Sequence, residues 1–204
     1  LYHDNWFHAF FQWRMPANPK MCWGHARSRD LIHWEHLPVA IAPRGSSGSW
    51  SGATAVTTAG PRILFTSDYQ QSGATGNDDL IHWTPMKKEP AMPRSLHESK
   101  GIKIGGWRDP FVWKHNGIYY SCVGGSSEGK GYISLYKANS EEFDDWEFIG
   151  PLFIHPDSPD NACPNFFKIG DKWVLLMSRH RPHVEDWFVG TWNPDTLRFE
   201  PETS

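Results

Sequence analysis

Apolar and aromatic positions fall in short runs, each closed by Gly, Asp, Asn or Pro, and nowhere do they settle into a sustained 3.6-residue period. The runs "WFHAFFQW" (6–13), "WSGATAVT" (50–57), "RILFTSDY" (62–69), "GIYYSCVGG" (117–125), "GYISLYKA" (131–138), "DKWVLLMS" (171–178) and "DWFVGTW" (186–192) read as β-strands. Most are rich in β-branched or aromatic residues and bounded by turn formers. Long helices are not expected, because their periodicity is missing.

A repeat organises these runs. "SRDLIHW" ends at Trp34 and "NDDLIHW" ends at Trp83, and looser copies, "EEFDDW" and "PDTLRF", end at Trp146 and Phe199. All four carry an acid four residues before the aromatic: Asp30, Asp79, Glu142 and Asp195. The intervals of 49, 63 and 53 residues suit a propeller blade of four short strands, a unit that needs its neighbour to bury its sheet face. The expected fold is therefore all-β, a β-propeller with about four blades in residues 1–204 and one domain. The repeated segment itself reads as a turn leading into an outer strand, with the aromatic packing between sheets.

Composition changes this picture little. The 12 Trp, 16 Pro and 18 Gly fit many short strands joined by punctuated turns. A formal charge of −3 from interspersed acids and bases offers no surface for nucleic acid or an anionic membrane, and there is no stretch of 18 apolar residues. Cys22, Cys122 and Cys163 are odd in number, far apart and without metal-site spacing. No metal or organic cofactor is implied. The chain opens at Leu1, already in strand-like sequence, so its start reads as a cut.

Propellers place ligands where the innermost strands converge, which directs attention to polar residues at equivalent places in successive blades. Gln12 interrupts an aromatic strand and can both donate to and accept from a sugar hydroxyl, or simply be satisfied at a strand edge. Trp23 offers a flat face for a furanose or pyranose, with core packing the plainer alternative, and His25 could orient a neighbour. Trp50 and Ser51 set an aromatic beside a hydroxyl, with Gly52 keeping the backbone close to whatever lies above. In "GGWRDPFVW" (105–113), Arg108 and Asp109 form a charged pair in apolar company. A carboxylate beside a fixed guanidinium is expected to stay ionised and to hold sugar hydroxyls, or the two form a structural ion pair.

Taken in order, Gln12, "WGHARSRDLIHWEHLPVAIAP", "WSG", "WRDPFVW" and "NACPNFFKIGDKWVLLMS" resemble the five-bladed catalytic domain of glycoside hydrolase family 32 from Leu1 to nearly the end of the chain. This family includes invertases, inulinases, levanases and fructosyltransferases. The resemblance implies retaining cleavage of β-fructofuranosidic bonds in sucrose or fructans. Three acids carry it: an Asp nucleophile in "N-D-P-N-G", a Glu acid/base in "E-C-P", and an Asp in "R-D-P" that stabilises the transition state. The first two must lie about 5 Å apart across the scissile bond. On this pattern Asp109 is the stabiliser, with Arg108 beside it, and Gln12, Trp23, Trp50 and Ser51 line the fructose subsite. An extracellular location follows from the resemblance alone.

Two departures qualify the expectation. The nucleophile segment would lie just upstream of Leu1, and Asp4, in a hairpin turn, is no substitute. Ala162 stands where the pattern has its acid/base Glu, and the loop acids Asp157 and Asp160 are not expected to replace it. The chain is thus expected not to turn over sucrose usefully, and to be poorly soluble alone, since the last blade and a C-terminal β-sandwich are also missing. Two readings remain: part of a β-fructofuranosidase, or a catalytically dead relative that binds fructosides. A propeller acting on arabinosides or xylosides does not account for the motifs in this order.

Overall fold

The turns between strands are written in residues that tolerate left-handed backbone. Asp4-Asn5, Asp68-Tyr69, Asn116-Gly117 and Glu128-Gly129 all adopt positive φ, the condition for two-residue hairpins whose twist matches the flanking strands. Such hairpins build four antiparallel sheets in chain order. The structure is a computed structural model that describes residues 1–180 and 182–203.

The first sheet contains β1 (Tyr2–His3), β2 (Trp6–Met15), β3 (Asn18–Ser28) and β4 (Trp34–Ile41). The second contains β5 (Gly52–Thr57), β6 (Gly60–Ser67), β7 (Gln70–Gly76) and β8 (Trp83–Pro85). A single helical turn, α1 (Ser95–Glu98), lies in the connection to the third sheet, which explains why that repeat interval is the longest. The third sheet is β9 (Gly105–His115), β10 (Ile118–Ser127), β11 (Lys130–Ala138) and β12 (Trp146–Ile154). The fourth is β13 (Asn161–Ile169), β14 (Lys172–His180), β15 (His183–Asn193) and β16 (Arg198–Thr203). One bridge, Gly125 to Asn161, links the third and fourth. The all-β expectation holds, with one four-stranded sheet for each copy of the repeat.

Alternation along the strands shows how the sheets stack. In β6, Ile63 and Phe65 join Trp23 and Ile41 in a core between the first and second sheets. Leu64, between them, joins Trp107, Tyr119, Val123 and Trp146 in a core between the second and third. In β10, Tyr120 and Cys122 turn the other way, to Phe166, Leu175 and Trp192 of the fourth sheet. Strands with both faces covered read as nearly unbroken apolar runs, which is why "RILF" and "IYYSCV" stood out in the sequence. β3, β7, β9 and β13 were not among the runs read as strands: "NPKMCWGHARS" and "QQSGATG" are too polar, and "GGWRDPFVWKH" and "NACPNFFKI" are interrupted by Pro.

The repeat is structural, as expected. Leu31, Leu80 and Phe143 adopt φ of 63°, 62° and 61°, and each carbonyl accepts the indole N–H three residues on, from Trp34, Trp83 and Trp146, at 3.1, 2.7 and 2.8 Å. The Oδ1 of Asp30 accepts the backbone N–H groups of Ile32 and His33, closing the turn. Trp83 and Trp146 then pack into the cores, but Trp34 does not: it stays 40% exposed, because it lies outside the core shared by the first two sheets. Cys22, Cys122 and Cys163 are all free thiols.

Candidate functional site

The site grows from β9, where the chain departs from regular strand geometry. Asp109 has φ of 62°, a conformation that costs a non-glycine residue roughly 1–2 kcal/mol and must be held by its surroundings. A buried polar chain does this. Gln71 donates from Nε2 to the Trp107 carbonyl at 3.1 Å, its Oε1 accepts the Thr66 hydroxyl at 2.9 Å, and Thr66 Oγ1 accepts the Asp109 N–H at 2.7 Å. β7 can thus bury Gln71, because both ends of its amide are used.

The Asp109 carboxylate is buried and accepts the Cys163 backbone N–H at 3.1 Å and its thiol at 3.4 Å. Burial pushes its pKa up, opposed by the Cys163 N–H and the Arg108 guanidinium. Arg108 does pair with Asp109, as expected, but a second acid takes the closer contact. Arg108 Nε lies 3.7 Å from Asp109 Oδ2, whereas Nη2 lies 2.6 Å from Asp160 Oδ2, with a second contact from Nη1 to Oδ1 at 3.3 Å. The guanidinium serves mainly Asp160, and desolvation rather than a close ion pair dominates Asp109.

A cavity of 560 Å³ opens over these groups. Gln12, Trp50, Arg108 and Asp109, named from the sequence as site residues, line it together with Tyr69 and His180, which were not named, and Asp160, which was named only as a loop acid not expected to replace the acid/base. Tyr69 stands edge-on to Trp50 at 4.9 Å between ring centres, and His180 Nε2 lies 3.3 Å from Arg108 Nη2. Trp23 and Ser51 fall elsewhere. With Gln12 they line a second cavity of 530 Å³ that runs between β2, β5 and β9. Gln12 joins the two spaces, donating to Ser51 Oγ at 2.9 Å. Trp23 is core, 4% exposed, and its indole N–H donates to the Trp50 carbonyl at 2.6 Å, which ties it to Trp50. His25 pairs with His8 at 3.0 Å in the first core and touches neither acid.

Ala162 lies in β13, buried, one residue before the N–H that binds Asp109. A glycine allows this approach: a Cβ on Gly124 would meet the Asn161 carbonyl oxygen at 2.7 Å, so β10 and β13 come close only without a side chain there. Asp157 is exposed, and of the two loop acids only Asp160 lines the cavity. Among the described residues no group of three or more His, Cys, Asp or Glu is placed to hold a metal ion, and no helix is long and apolar enough to cross a membrane.

The model of the glycosyl hydrolases family 32 N-terminal domain matches residues 1–204. This chain belongs to glycoside hydrolase family 32. Within the family it is 30% identical, over 97% of its length, to a sucrose-6-phosphate hydrolase from Zymomonas mobilis, and 28% identical, over 99%, to a cell-wall β-fructofuranosidase from Zea mays. It spans 44% and 39% of those proteins. The fructan 1-exohydrolase IIa from Cichorium intybus, solved with 1-kestose, superposes with a TM-score of 0.79 at 26% identity, covering 98% of this chain and 42% of that one. A family 32 β-fructofuranosidase from Bombyx mori shares the fold with a TM-score of 0.80 at 24% identity, covering 98% of this chain and 47% of the other. In this family 32 domain the signal that could have revealed Asp160 as the partner of Arg108 is the turn-rich "HPDSPDN" (155–161), which carries an acid to the start of β13; sequence distance from Arg108 hid the pairing.

Proposed function

We propose that the four sheets are blades of a β-propeller and that the cavity over Asp109 binds the fructosyl unit of a β-fructofuranoside such as sucrose or a fructan. The observation that carries this is the joint placement of Arg108, Asp109, Gln12 and Trp50 around one cavity. A buried carboxylate and an amide can grip vicinal hydroxyls from two sides, while an indole covers the apolar face of the ring. On the reading as part of a fructosidase, that enzyme's activity is retaining hydrolysis, with Asp109 stabilising charge on the sugar ring as the glycosidic bond breaks. The names of the relatives and the solved complex with 1-kestose support fructosides as the substrate class.

Ala162 occupies the position of the acid/base. A methyl cannot protonate a leaving group, and loss of a positioned general acid costs typically 10²- to 10⁴-fold in rate. The chain is therefore read as a fructoside binder with little or no turnover, whether it is part of a fructosidase or a relative kept for binding. That second role is favoured by Ala162 in an otherwise furnished pocket.

Calorimetric titration with fructose, sucrose and sucrose 6-phosphate, alongside glucose release from sucrose, tests both parts. Binding is expected, and Asp109→Ala is expected to weaken it ~10- to 100-fold, the equivalent of one hydrogen bond to a charged group. Equal affinity for the variant sinks the site assignment. Rapid sucrose turnover by the unmodified chain sinks the reading of Ala162.

A further inference from the structure

The loop from β12 to β13, residues 155–160, carries Asp160 to Arg108, and one buried histidine organises it. His155 Nδ1 lies 3.0 and 2.9 Å from the backbone nitrogens of Asp157 and Ser158. Both partners are donors, so Nδ1 carries no proton and accepts from both. The ring proton is then on Nε2, which donates to Asp186 Oδ2 of β15 at 2.7 Å. Asp186 is itself fixed by Arg179 of β14, whose Nη2 donates to Oδ1 at 2.9 Å. Beyond the two capped N–H groups, Ser158 Oγ donates to the Asp160 carbonyl at 2.7 Å, and the His155 N–H reaches the Gly131 carbonyl at 2.9 Å, tying the loop to β11. The far end of this chain is the contact of Asp160 with Arg108 at 2.6 Å.

We propose that His155 is a positioning residue of the pocket: held as the Nε2–H tautomer by Asp186, it caps the Asp157–Asp160 turn and so seats Asp160 on Arg108. Asp160 in turn aims the guanidinium into the cavity. The consequence for sugar binding rests on the fructoside reading above, while the mechanical part does not. With a methyl at position 162, Arg108 has Asp160 and Asp109 as its acidic neighbours within 4.0 Å, and the shorter contact is to Asp160. Arg108 Nη1 also donates to the Gly106 carbonyl at 2.6 Å, within its own strand, so the loop acid sets the Nη2 side of the guanidinium, and the imidazole is the side chain that caps the loop's first turn.

Two substitutions separate the halves of the ring. His155→Asn puts an amide oxygen where Nδ1 accepts and keeps the caps. His155→Gln reaches Asp186 but leaves the two N–H groups without an acceptor. Fructose affinity is expected to stay within ~3-fold of the unmodified chain in His155→Asn and to fall ~10-fold in His155→Gln, as it does in Asp160→Asn, with no further fall in the double variant His155→Gln/Asp160→Asn. Equal binding by the Asn and Gln variants, or additive losses in the double variant, overturns the proposal. So does a ¹⁵N spectrum of the unmodified chain showing His155 protonated on Nδ1, a measurement that needs no variant to fold. If the unmodified chain binds no fructoside, the sugar reading fails separately. The same cycle is then read from denaturation midpoints, where additivity again overturns the positioning role.

Discussion

Asp109 is fixed at its backbone before its side chain meets anything. Its positive φ is held by the Thr66 hydroxyl, which accepts the Asp109 N–H while donating to Gln71, so one oxygen completes a relay from β6 through β7 to β9. Thr66→Val keeps the shape and removes both bonds, leaving a buried N–H and a buried amide oxygen unpaired. The expected cost is ~1–3 kcal/mol in urea unfolding, with a parallel loss of fructose affinity as the carboxylate turns. A change below about 0.5 kcal/mol, the range of neutral surface substitutions, shows that another group holds this φ. Cys163 belongs to the same unit. Burial and the Asp109 carboxylate push its thiol up to about 12, so it remains a proton donor to that carboxylate at neutral pH.

At the scale of elements, the site depends on how closely β10 lets β13 approach. Gly124 faces the Asn161 carbonyl, and among the described residues the bridge at Gly125 is the one ladder contact between the third and fourth sheets. Gly124→Ala forces a methyl against backbone that cannot swing aside and is expected to cost ~1–3 kcal/mol, as overpacking does. Because β13 carries the N–H that binds Asp109, the loss should be accompanied by weaker fructose binding, measured by calorimetry at a temperature where the variant is fully folded. Unchanged affinity in a destabilised variant separates packing from the site. Most of this level was legible in the sequence: the runs quoted from it fall within β2, β5, β6, β10, β11, β14 and β15 or overlap them, and the four acid–aromatic segments mark the turns before β4, β8, β12 and β16. β3 and β7 were illegible because their burial rests on hydrogen-bonding partners, such as those of Gln71, that are distant in sequence. The candidate site divides in the same way. Arg108 and Asp109 announce themselves by composition, but Asp160 lies 52 residues from Arg108, and His155 is a lone imidazole whose role is visible only once its two ring nitrogens have partners.

The whole molecule is a series of sheets whose seams hold aromatic cores and, in two of them, a neutral histidine. His25 is stacked on Phe10 at 4.2 Å in the first seam, and His97 packs edge-on to Trp107 at 4.9 Å in the second while bonding the Tyr136 hydroxyl at 2.9 Å. Burial lowers both to about 4, helped by His8 at His25 and by Arg94 at His97. A histidine whose folded pKa lies below its unfolded value of about 6.5 takes up its proton first in the unfolded chain, so unfolding is favoured as pH falls. The stabilising difference is complete above about 6.5 and is lost as pH falls from there towards about 4. Asp109 acts in the opposite direction, because its raised pKa makes the fold bind a proton before the unfolded chain does. That gain falls at the acidic end of the window and sets one carboxylate against three imidazoles, since burial lowers His8, beside His25, as well. Urea midpoints recorded between pH 7.5 and 4.5 (a range of about 3 units, set by these pKa values) are therefore expected to fall steadily with acidification. His97→Gln, which cannot titrate, should start lower and fall less steeply, because one of the two neutral seams no longer carries a protonation penalty. Midpoints that stay level across this range, in either protein, mean that the seams admit protons without opening and that the sheets are held together by other contacts.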